Sequence, residues 1–434
     1  MKKYFHFLML GLAIVAASCQ PKAVPVAVNV QLAVDNAPYA VENVTITLTQ
    51  NETAFTALTD ASGKASFEVM AGAYEAAASF KQSIGGKAVN FNGTASVLVV
   101  ENTPADYNLP LTKSESNPLI IKELYNGGCM DNDNAKNYAN DKYIIVYNNS
   151  DMEIDASNLC IGMGPITVSK SGSKYYDENT GKHSYEAEGW CPASYSIWWF
   201  QKGTKVVLKP YSQIVVSITG AVDHTKTYNN SVDLSGADYC MYDTESGFNG
   251  AAQYPAPSAS IPAVNYMKTY VFGMGTAWPF PMGAGSSMLI LPDTDIEAYV
   301  KDAGNFMNKG TNNSTNFCKI PQAWVSDAID IFLKGSEATS IKQMPDNIDG
   351  GCVSFENKKG YTLYRNVDKA ATEAIAENSG KIVYNYSGEA YDDVKDPSGI
   401  DAEASIKNGA KIVYMDTNNS QKDFHVRKVA SIKK

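Results

Sequence analysis

Two stretches decide the fold class: Leu119-Ile120-Ile121-Lys122-Glu123-Leu124 (119–124) and Lys142-Tyr143-Ile144-Ile145-Val146-Tyr147 (142–147). Both are short and rich in β-branched and aromatic residues. Their apolar residues alternate or run almost without interruption, which is typical of strands inside a sandwich. The sequence therefore predicts a β-sandwich in which these two segments are inner strands.

The region before them shows a strand rhythm of its own. Residues 26–32 and 44–48 alternate apolar and polar side chains with period two. Asp60-Ala61-Ser62-Gly63 is a turn between two β-rich runs, because Gly63 can take a positive φ. Short strands at intervals of about 8–12 residues indicate an antiparallel sandwich. We therefore expect a separate N-terminal β-domain.

This N-terminal region also carries a family resemblance. Residues 59–67, Thr-Asp-Ala-Ser-Gly-Lys-Ala-Ser-Phe, are followed by Gly72-Ala73-Tyr74. The pattern resembles the prealbumin-like or carboxypeptidase-regulatory-like fold, in which "T-D-x-x-G-x-x-x-F … G-x-Y" marks two strands and their turns. The resemblance implies a spacer or stalk in which the glycine and the aromatic residue are structural.

The larger region resembles a different family. Residues 119–128, 142–150 and 154–159 are similar to the opening of the lamin-tail domain, an immunoglobulin-like sandwich reading "I-x-E-V … Y-I-E-L-Y-N … D-L-S-G". Residues 208–217 resemble its "L-x-P-G-x-x-V-V-I-A" strand, with Tyr211 where glycine is usual. The whole layout, including residues 416–424, also resembles a family of uncharacterised lipoproteins from Bacteroides-type bacteria. That resemblance implies no particular activity.

These patterns predict an all-β chain with few short helices. The expected order is a signal peptide at 1–18, a tether at 19–25, a prealbumin-like sandwich at 26–112, a linker at 113–118 and a lamin-tail-like sandwich at 119–434. An immunoglobulin-like core needs only about 100 residues. The surplus is therefore expected in long insertions, at about 165–203, 221–285 and 366–410.

The N-terminus predicts export. Lys2 and Lys3 precede the largely apolar run 5–17, which is shorter than the roughly 20 residues of a membrane-spanning helix. Ala16-Ala17-Ser18-Cys19 resembles a lipoprotein lipobox, which implies acylation of Cys19 and attachment to the outer membrane. The alternative is a plain signal peptide with a chance cysteine. No acidic residue follows Cys19 directly, so exposure on the cell surface stays open.

Six further cysteines would reach an oxidising compartment: Cys129, Cys160, Cys191, Cys240, Cys318 and Cys352. Six is an even number, and no CxxC spacing indicates zinc. We expect one to three structural disulfides, with buried free thiols as the alternative.

An aromatic cluster is the strongest candidate for binding. It includes Tyr175, Tyr176, Trp190, Trp198 and Trp199. Aromatic rings are favoured both in cores and at binding surfaces, so the cluster is either a platform for a ligand, glycan or partner or a small core. Trp198 and Trp199 would point to opposite faces of a strand.

A weaker candidate is a calcium site formed by Asp131, Asp133 and Asp141. The sixth and twelfth positions counted from Asp131 are Lys136 and Lys142, so the EF-hand pattern fails. The alternative is a solvated loop. No other cofactor is predicted.

The composition narrows the function. The net charge is −10, and no basic patch is visible in the sequence, which argues against nucleic-acid binding. We find no G-x-S-x-G, H-E-x-x-H or P-loop. We therefore expect a non-catalytic envelope lipoprotein that binds a ligand, a glycan or an outer-membrane protein such as a TonB-dependent transporter. The alternatives are a surface hydrolase acting on polysaccharide and a purely adhesive or structural component.

Overall fold

The structure is a computed structural model. It describes residues 24–433 except 52, 85–86, 117, 166–168, 170–174, 247–253, 273–279, 281, 284, 308–315 and 387–394. The predicted signal peptide and Cys19 lie outside these residues. Two compact units are present: one formed by residues up to 78 together with 93–111, the other by 79–92 and 112–434. Within the described ranges, every helix is too short or too polar to cross a membrane.

The first unit is built from β-strands. Its strands are β1 (Val26–Val34), β2 (Ala37–Pro38), β3 (Thr45–Gln50), β4 (Thr53–Leu58), β5 (Lys64–Val69), β6 (Gly72–Ile84), β7 (Lys87–Val99) and β8 (Ala105–Pro110), with residues 79–92 of β6 and β7 counted in the second unit. β2, β1 and β5 form a sheet to which β8 adds in parallel to β1. β4, β3 and β6 lie in that order in the other sheet.

The predicted alternation sets the core of this unit. Val28, Val30 and Leu32 of β1 are fully buried, and the residues between them are half-buried. The predicted turn is present: the Asp60 carboxylate accepts hydrogen bonds from the backbone of Ser62 and Lys64. Gly63 has a φ of +83°, and a Cβ there would lie 1.9 Å from the carbonyl oxygen of Tyr39. Only glycine fits this turn without rearrangement.

The second unit holds most of the strands and all helices of the described chain. Its other strands are β9 (Thr112–Ser116), β10 (Leu119–Tyr125), β11 (Cys129–Met130), β12 (Asn137–Tyr138), β13 (Tyr143–Asn148), β14 (Ile154–Asp155), β15 (Cys160–Met163), β16 (Tyr176–Asp177), β17 (Lys182–His183), β18 (Trp190–Trp199), β19 (Val207–Leu208), β20 (Gln213–Ser217), β21 (Tyr239–Met241), β22 (Tyr266–Val271), β23 (Gly285–Ile290), β24 (Cys318–Pro321), β25 (Val325–Leu333), β26 (Val353–Phe355), β27 (Thr362–Arg365) and β28 (Phe424–Arg427). The α-helices are α1 (Ser184–Ala187), α2 (Ile296–Lys301), α3 (Lys369–Ala374), α4 (Ala402–Lys407) and α5 (Ser420–Asp423). Short 3₁₀ turns span His224–Lys226, Ala263–Asn265, Ala303–Asn305, Gln322–Trp324, Glu337–Thr339 and Ala376–Asn378.

One long sheet path organises this unit. Its order is β26-β25-β23-β15-β18-β22-β21-β20-β13-β10-β27-β28, with β24 also paired to β18. The path folds over so that β10 contacts β25 and the two end strands, β26 and β28, contact each other. The all-β, sandwich-like class is therefore confirmed.

Burial explains the apolar run of β10. Ile121 and Leu124 pack into the core between the two layers, which also contains Ile144 of β13 and Trp198 of β18. Ile120 points the other way, into a cluster that contains Val367, Ile400 and Tyr414. Every residue of β10 is buried because both faces are covered, as the sequence predicts.

The structure differs from the predicted domain plan in two places. Part of the predicted linker is β9, which pairs with β7 from Asn92 to Ala88. The predicted insertions at 165–203 and 221–285 supply β18, β21 and β22, which are interior strands of the long sheet path. The sequence of β18 does not alternate between apolar and polar residues as a strand with one exposed face does. The reason is that both of its faces are covered.

Candidate functional site

The two adjacent tryptophans of the predicted platform lie on opposite faces of β18. Trp198 is fully buried between the layers, where its indole N–H donates to Ser196 Oγ at 3.0 Å. Trp199 is half-buried and packs against the cluster on the outer face, which contains Cys160 and Ile296. The strand geometry expected from the sequence is therefore present, and Trp198 is a core residue.

The other three predicted aromatics fill a small structure of their own. Tyr176 lies 5.3 Å from the ring of His183, and His183 stacks on Tyr185 at 4.6 Å. Tyr185 in turn lies 5.0 Å from Trp190, which is 6% exposed. Tyr175 packs edge-on against Phe317. The five predicted residues are not brought together on one exposed face, because four of them pack within this small structure or within the sandwich.

Trp199 lines an open cavity of about 440 Å³, which we call the Trp199 cleft. Polar residues that line this cleft include Asn158, Gln201, Lys202, Thr204 and Asp295. The amide of Gln201 donates to the carbonyls of Ala263 and Tyr266 at 2.9 and 2.8 Å, which fixes its orientation. The hydroxyl of Thr204 is buried and has no hydrogen-bond partner within the described part of the chain.

The two carboxylates of the Trp199 cleft are engaged in local structure. Asp295 caps α2 by accepting from the backbone N–H groups of Glu297 and Ala298 at 2.9 and 3.3 Å. Glu297 pairs with Lys301 one turn along the helix. A pair of acids for glycoside hydrolysis would need one carboxyl to donate a proton and the other to attack or activate water. These two acids are instead held by α2.

A second cavity, of about 750 Å³, lies at another place in this unit. Five lysines and one glutamate line it, and we call it the lysine pocket: Lys334, Lys358, Lys359, Lys428, Lys433 and Glu356. Its other polar residues are Asn134, Asn230 and Asn357, and its apolar residues include Leu333 and Phe355. Lys433 is tied to the wall by donating from Nζ to the carbonyl of Asn230 at 3.0 Å.

The fold brings these lysines together from distant parts of the chain. β25 and β26 pair in parallel, so both end at the same edge of the sheet, and Lys334 follows β25 directly. Lys358 has a φ of +64° in the turn after β26, and its N–H donates to the carbonyl of Gly127 at 2.8 Å. Lys428 follows β28. The sequence analysis missed this pocket, because its lysines are spread over residues 334–433 and form no run.

The calcium candidates are not brought together. Asp141 is fully buried, and its Oδ2 accepts from the hydroxyls of Tyr125 and Ser231 at 3.0 and 2.8 Å. Burial raises the pKa of Asp141. Asp131 is half-buried and accepts from the N–H of Ala135 at 2.7 Å, and Asp133 is exposed in the same loop. Among the described residues, no group of three or more histidines, cysteines or acids is placed to hold a metal.

A buried ionic cluster surrounds Arg365, which we call the Arg365 cluster. Its guanidinium pairs with Asp327 and lies 3.5 Å from Asp416 and 3.7 Å from Asp423. It also donates to the carbonyls of Ile121 and Met415 at 2.7 and 2.9 Å. Each of the four charged side chains is at most 4% exposed.

The carboxylates of β25 correct an expectation. The alternation of apolar and polar residues at 324–330 predicts that Asp327 and Asp330 face solvent or an adjacent loop, but both are buried. Burial raises the pKa of each to about 7. Asp330 Oδ2 accepts from the backbone of Gln343 and Met344 at 3.0 and 2.8 Å. The alternation of this strand does not mark an exposed face, because distant segments cover it and supply partners.

The six described cysteines are free thiols, so the expected disulfides are absent among them. Five are buried and Cys352 is half-buried. Cys160, Cys191 and Cys318 share the apolar cluster on the outer face of β18. Burial raises the pKa of Cys129 to about 12 and that of Cys352 to about 11. The structure agrees with the alternative of buried free thiols.

The fold and these cavities define the class: an all-β protein of two units whose larger unit offers open, ligand-sized cavities. Residues 209–398 match the model of a family described as protein of unknown function, DUF4876. The chain therefore carries a DUF4876 family domain, and the predicted resemblance to an uncharacterised Bacteroides-type family is confirmed.

Solved structures extend this likeness. A DUF4876 family protein from Bacteroides thetaiotaomicron has a TM-score of 0.52 at 18% identity, over 92% of this chain and 95% of that chain. This similarity shows a shared fold. A Parabacteroides merdae DUF3823 family protein matches at a TM-score of 0.18 and 13% identity, over 33% of this chain and 67% of its own.

A protein from Pseudomonas aeruginosa, described provisionally as carbohydrate binding, matches at a TM-score of 0.17 and 16% identity, over 20% of this chain and 89% of its own. Its likeness, like that of the DUF3823 protein, is too weak to carry an argument. A search of the curated proteins gave no match.

Proposed function

We propose that the protein is a non-catalytic lipoprotein of the cell envelope that binds the ring face of a carbohydrate in the Trp199 cleft. The observation that carries the proposal is the half-buried indole of Trp199 at the wall of an open cavity with polar neighbours. Envelope attachment rests on the lipobox-like sequence that ends at Cys19.

The side chains of the cleft suit a sugar ring. An indole offers a flat apolar face on which the C–H face of a sugar can stack, and such rings dominate binding surfaces. The amides of Asn158 and Gln201 are held by bonds to backbone carbonyls at 3.0 Å and 2.8–2.9 Å. Fixed amides would give hydrogen bonds to sugar hydroxyls without a large ordering cost.

The carboxylates of the cleft favour binding over hydrolysis. Asp295 is held as the N-cap of α2, and Glu297 is paired with Lys301. A hydrolase acting on polysaccharide would need both acids free to point at one glycosidic bond.

Titration calorimetry with neutral hexasaccharides of glucose, xylose and mannose tests the proposal. We expect at least one of them to bind, and Trp199→Ala to weaken that binding by roughly 30-fold, the size of an interface hot spot. Trp199→Phe should keep part of the affinity, because it retains a flat ring. Tyr384→Ala removes an aromatic ring that is 45% exposed elsewhere in the unit, and it should bind as the wild type does. No binding to any of the three sugars, or equal binding by the Trp199→Ala variant, would contradict the proposal.

A further inference from the structure

We propose that the lysine pocket is a second binding site, which takes an acidic oligosaccharide. It does not depend on the Trp199 cleft. The Trp199 cleft includes Pro292, which follows β23, and the end of β23 at Ile290 pairs with Val325 at the start of β25. The lysine pocket instead lies at the end of β25. The two sites therefore lie toward opposite ends of β25, a strand of nine residues.

Charge is the first argument. Five lysines and one glutamate line a single cavity in a chain whose net charge is −10. Lys334, Lys358, Lys359 and Lys428 are exposed at its rim. Like charges held around one concavity repel each other, and the concave shape concentrates their potential on whatever enters. An anionic group in the pocket would relieve that repulsion.

The framework behind the lysines is rigid, which is the second argument. The pocket lies where the two end strands of the long sheet path, β26 and β28, contact each other. The turn after β26 is fixed by hydrogen bonds from the N–H groups of Lys358 and Gly360 to the carbonyls of Gly127 and Gly128 at 2.8 and 2.9 Å. A site on fixed backbone loses little entropy when a ligand binds.

The remaining lining indicates the class of anion. Leu333 and Met130, both half-buried, give the pocket an apolar part, and Asn134, Asn230 and Asn357 add amide groups. A bare inorganic anion uses neither feature. A sugar that carries carboxylate or sulfate groups presents charges for the lysines, hydroxyls for the amides and C–H surface for Leu333 and Met130. Lysine ammonium groups act as point charges without the fork geometry of arginine, so they accept carboxylate and sulfate alike.

Calorimetry with three hexasaccharides tests this inference: oligogalacturonate, which carries carboxylates, a heparin-derived hexasaccharide, which carries sulfates, and neutral maltohexaose. We expect one or both acidic sugars to bind in this pocket. The affinity should fall between about 50 mM and about 300 mM salt, because exposed charge pairs are screened. Comparison of the two acidic sugars identifies the anionic group.

Variants assign the binding to the pocket. The double substitution Lys359→Gln and Lys428→Gln should weaken binding of the acidic sugar about tenfold, the loss expected for two exposed charge pairs. The matched control, Lys209→Gln with Lys407→Gln, changes the net charge equally at exposed sites outside both cavities and should leave the affinity unchanged. All four lysines are exposed, so thermal unfolding should not shift.

Three outcomes would overturn the inference. Neither acidic sugar binds, or both double variants lose affinity equally, or a single-stranded oligonucleotide binds as tightly as the better sugar. The last result would mean that any polyanion is attracted. Failure of the neutral sugars at the Trp199 cleft leaves these measurements unaffected, so the two proposals are tested separately.

Discussion

Arg365 is the one cation among the four side chains of the Arg365 cluster. Replacing it with methionine removes the positive charge but keeps an aliphatic side chain in its place. Asp327, Asp416 and Asp423 would then share a buried site without a counter-charge, at side-chain exposures of 2–4%. Removing one partner of a buried ion pair costs about 3–5 kcal/mol. The carbonyls of Ile121 and Met415 also lose their donor, and each unsatisfied buried carbonyl costs about 1 kcal/mol or more. We therefore expect a loss of at least about 4 kcal/mol in the free energy of unfolding near neutral pH, a large part of the roughly 5–15 kcal/mol of a typical domain.

The loss should depend on pH with a definite sign. Burial raises the pKa of Asp327 to about 7 and that of Asp423 to about 6, and Arg365 opposes both shifts. Without Arg365 these pKa values rise further. The folded state then keeps protons that the unfolded chain releases above its ordinary pKa near 4, so stability falls as the pH rises through this window. The variant should therefore lose more stability at about pH 8 than at about pH 5, by roughly 1.4 kcal/mol for each additional unit of pKa.

Urea unfolding followed by tryptophan fluorescence measures this effect. All five tryptophans lie after residue 189, in the second unit, so the signal reports on the unit that contains Arg365. Lys411→Met removes a surface cation that is 3.2 Å from Glu377 and should leave the unfolding midpoint nearly unchanged at both pH values. A loss under about 1 kcal/mol at pH 8, or a loss that does not grow between pH 5 and pH 8, would refute the account of the Arg365 cluster.

Two further predictions concern the cysteines. The first uses a form of the protein that begins at residue 20 and a thiol reagent at neutral pH. We expect the five buried cysteines to stay unmodified, because the reagent cannot reach them. Cys352 is half-buried and should react slowly, because burial raises its pKa to about 11. Denaturation without a reductant should release all six thiols, and a smaller number would show that disulfides form. Cys19→Ser should prevent the incorporation of labelled palmitate and move the protein from the membrane fraction to the soluble fraction of the cell, and unchanged fractionation would contradict lipid attachment.

The sequence predicts the fold most accurately where local pattern and burial agree. The runs around Ile121 and Ile144 predict inner strands, and both are covered on two faces. Tyr211 stands where the lamin-tail pattern usually has glycine. Its φ is +54°, so the turn has left-handed backbone geometry although the residue is a tyrosine. Tyr211 packs against the buried cluster that contains Ile120 and Tyr147, and this packing offsets part of that strain.

The candidate sites are less predictable, because they depend on contacts between distant segments. Alternation places Trp198 and Trp199 on opposite faces, but it does not tell which face the core covers. Asp327 reads as a polar residue on an alternating strand until Arg365 is known to lie beside it. Cysteine number alone does not predict pairing, since pairing requires specific distances between side chains. The lysine pocket has no local signal at all, because parallel pairing of β25 with β26 is what places Lys334 near Lys358.

The contact between β26 and β28 has a consequence for crowding. A strand at an open border exposes a row of backbone donors and acceptors that another molecule can extend, which is a common route to aggregation. In the second unit the two end strands, β26 and β28, lie against each other, which leaves less room for another strand to add there. When many copies of the protein lie close together, a strand of one copy would therefore find little free strand edge at this place on another copy.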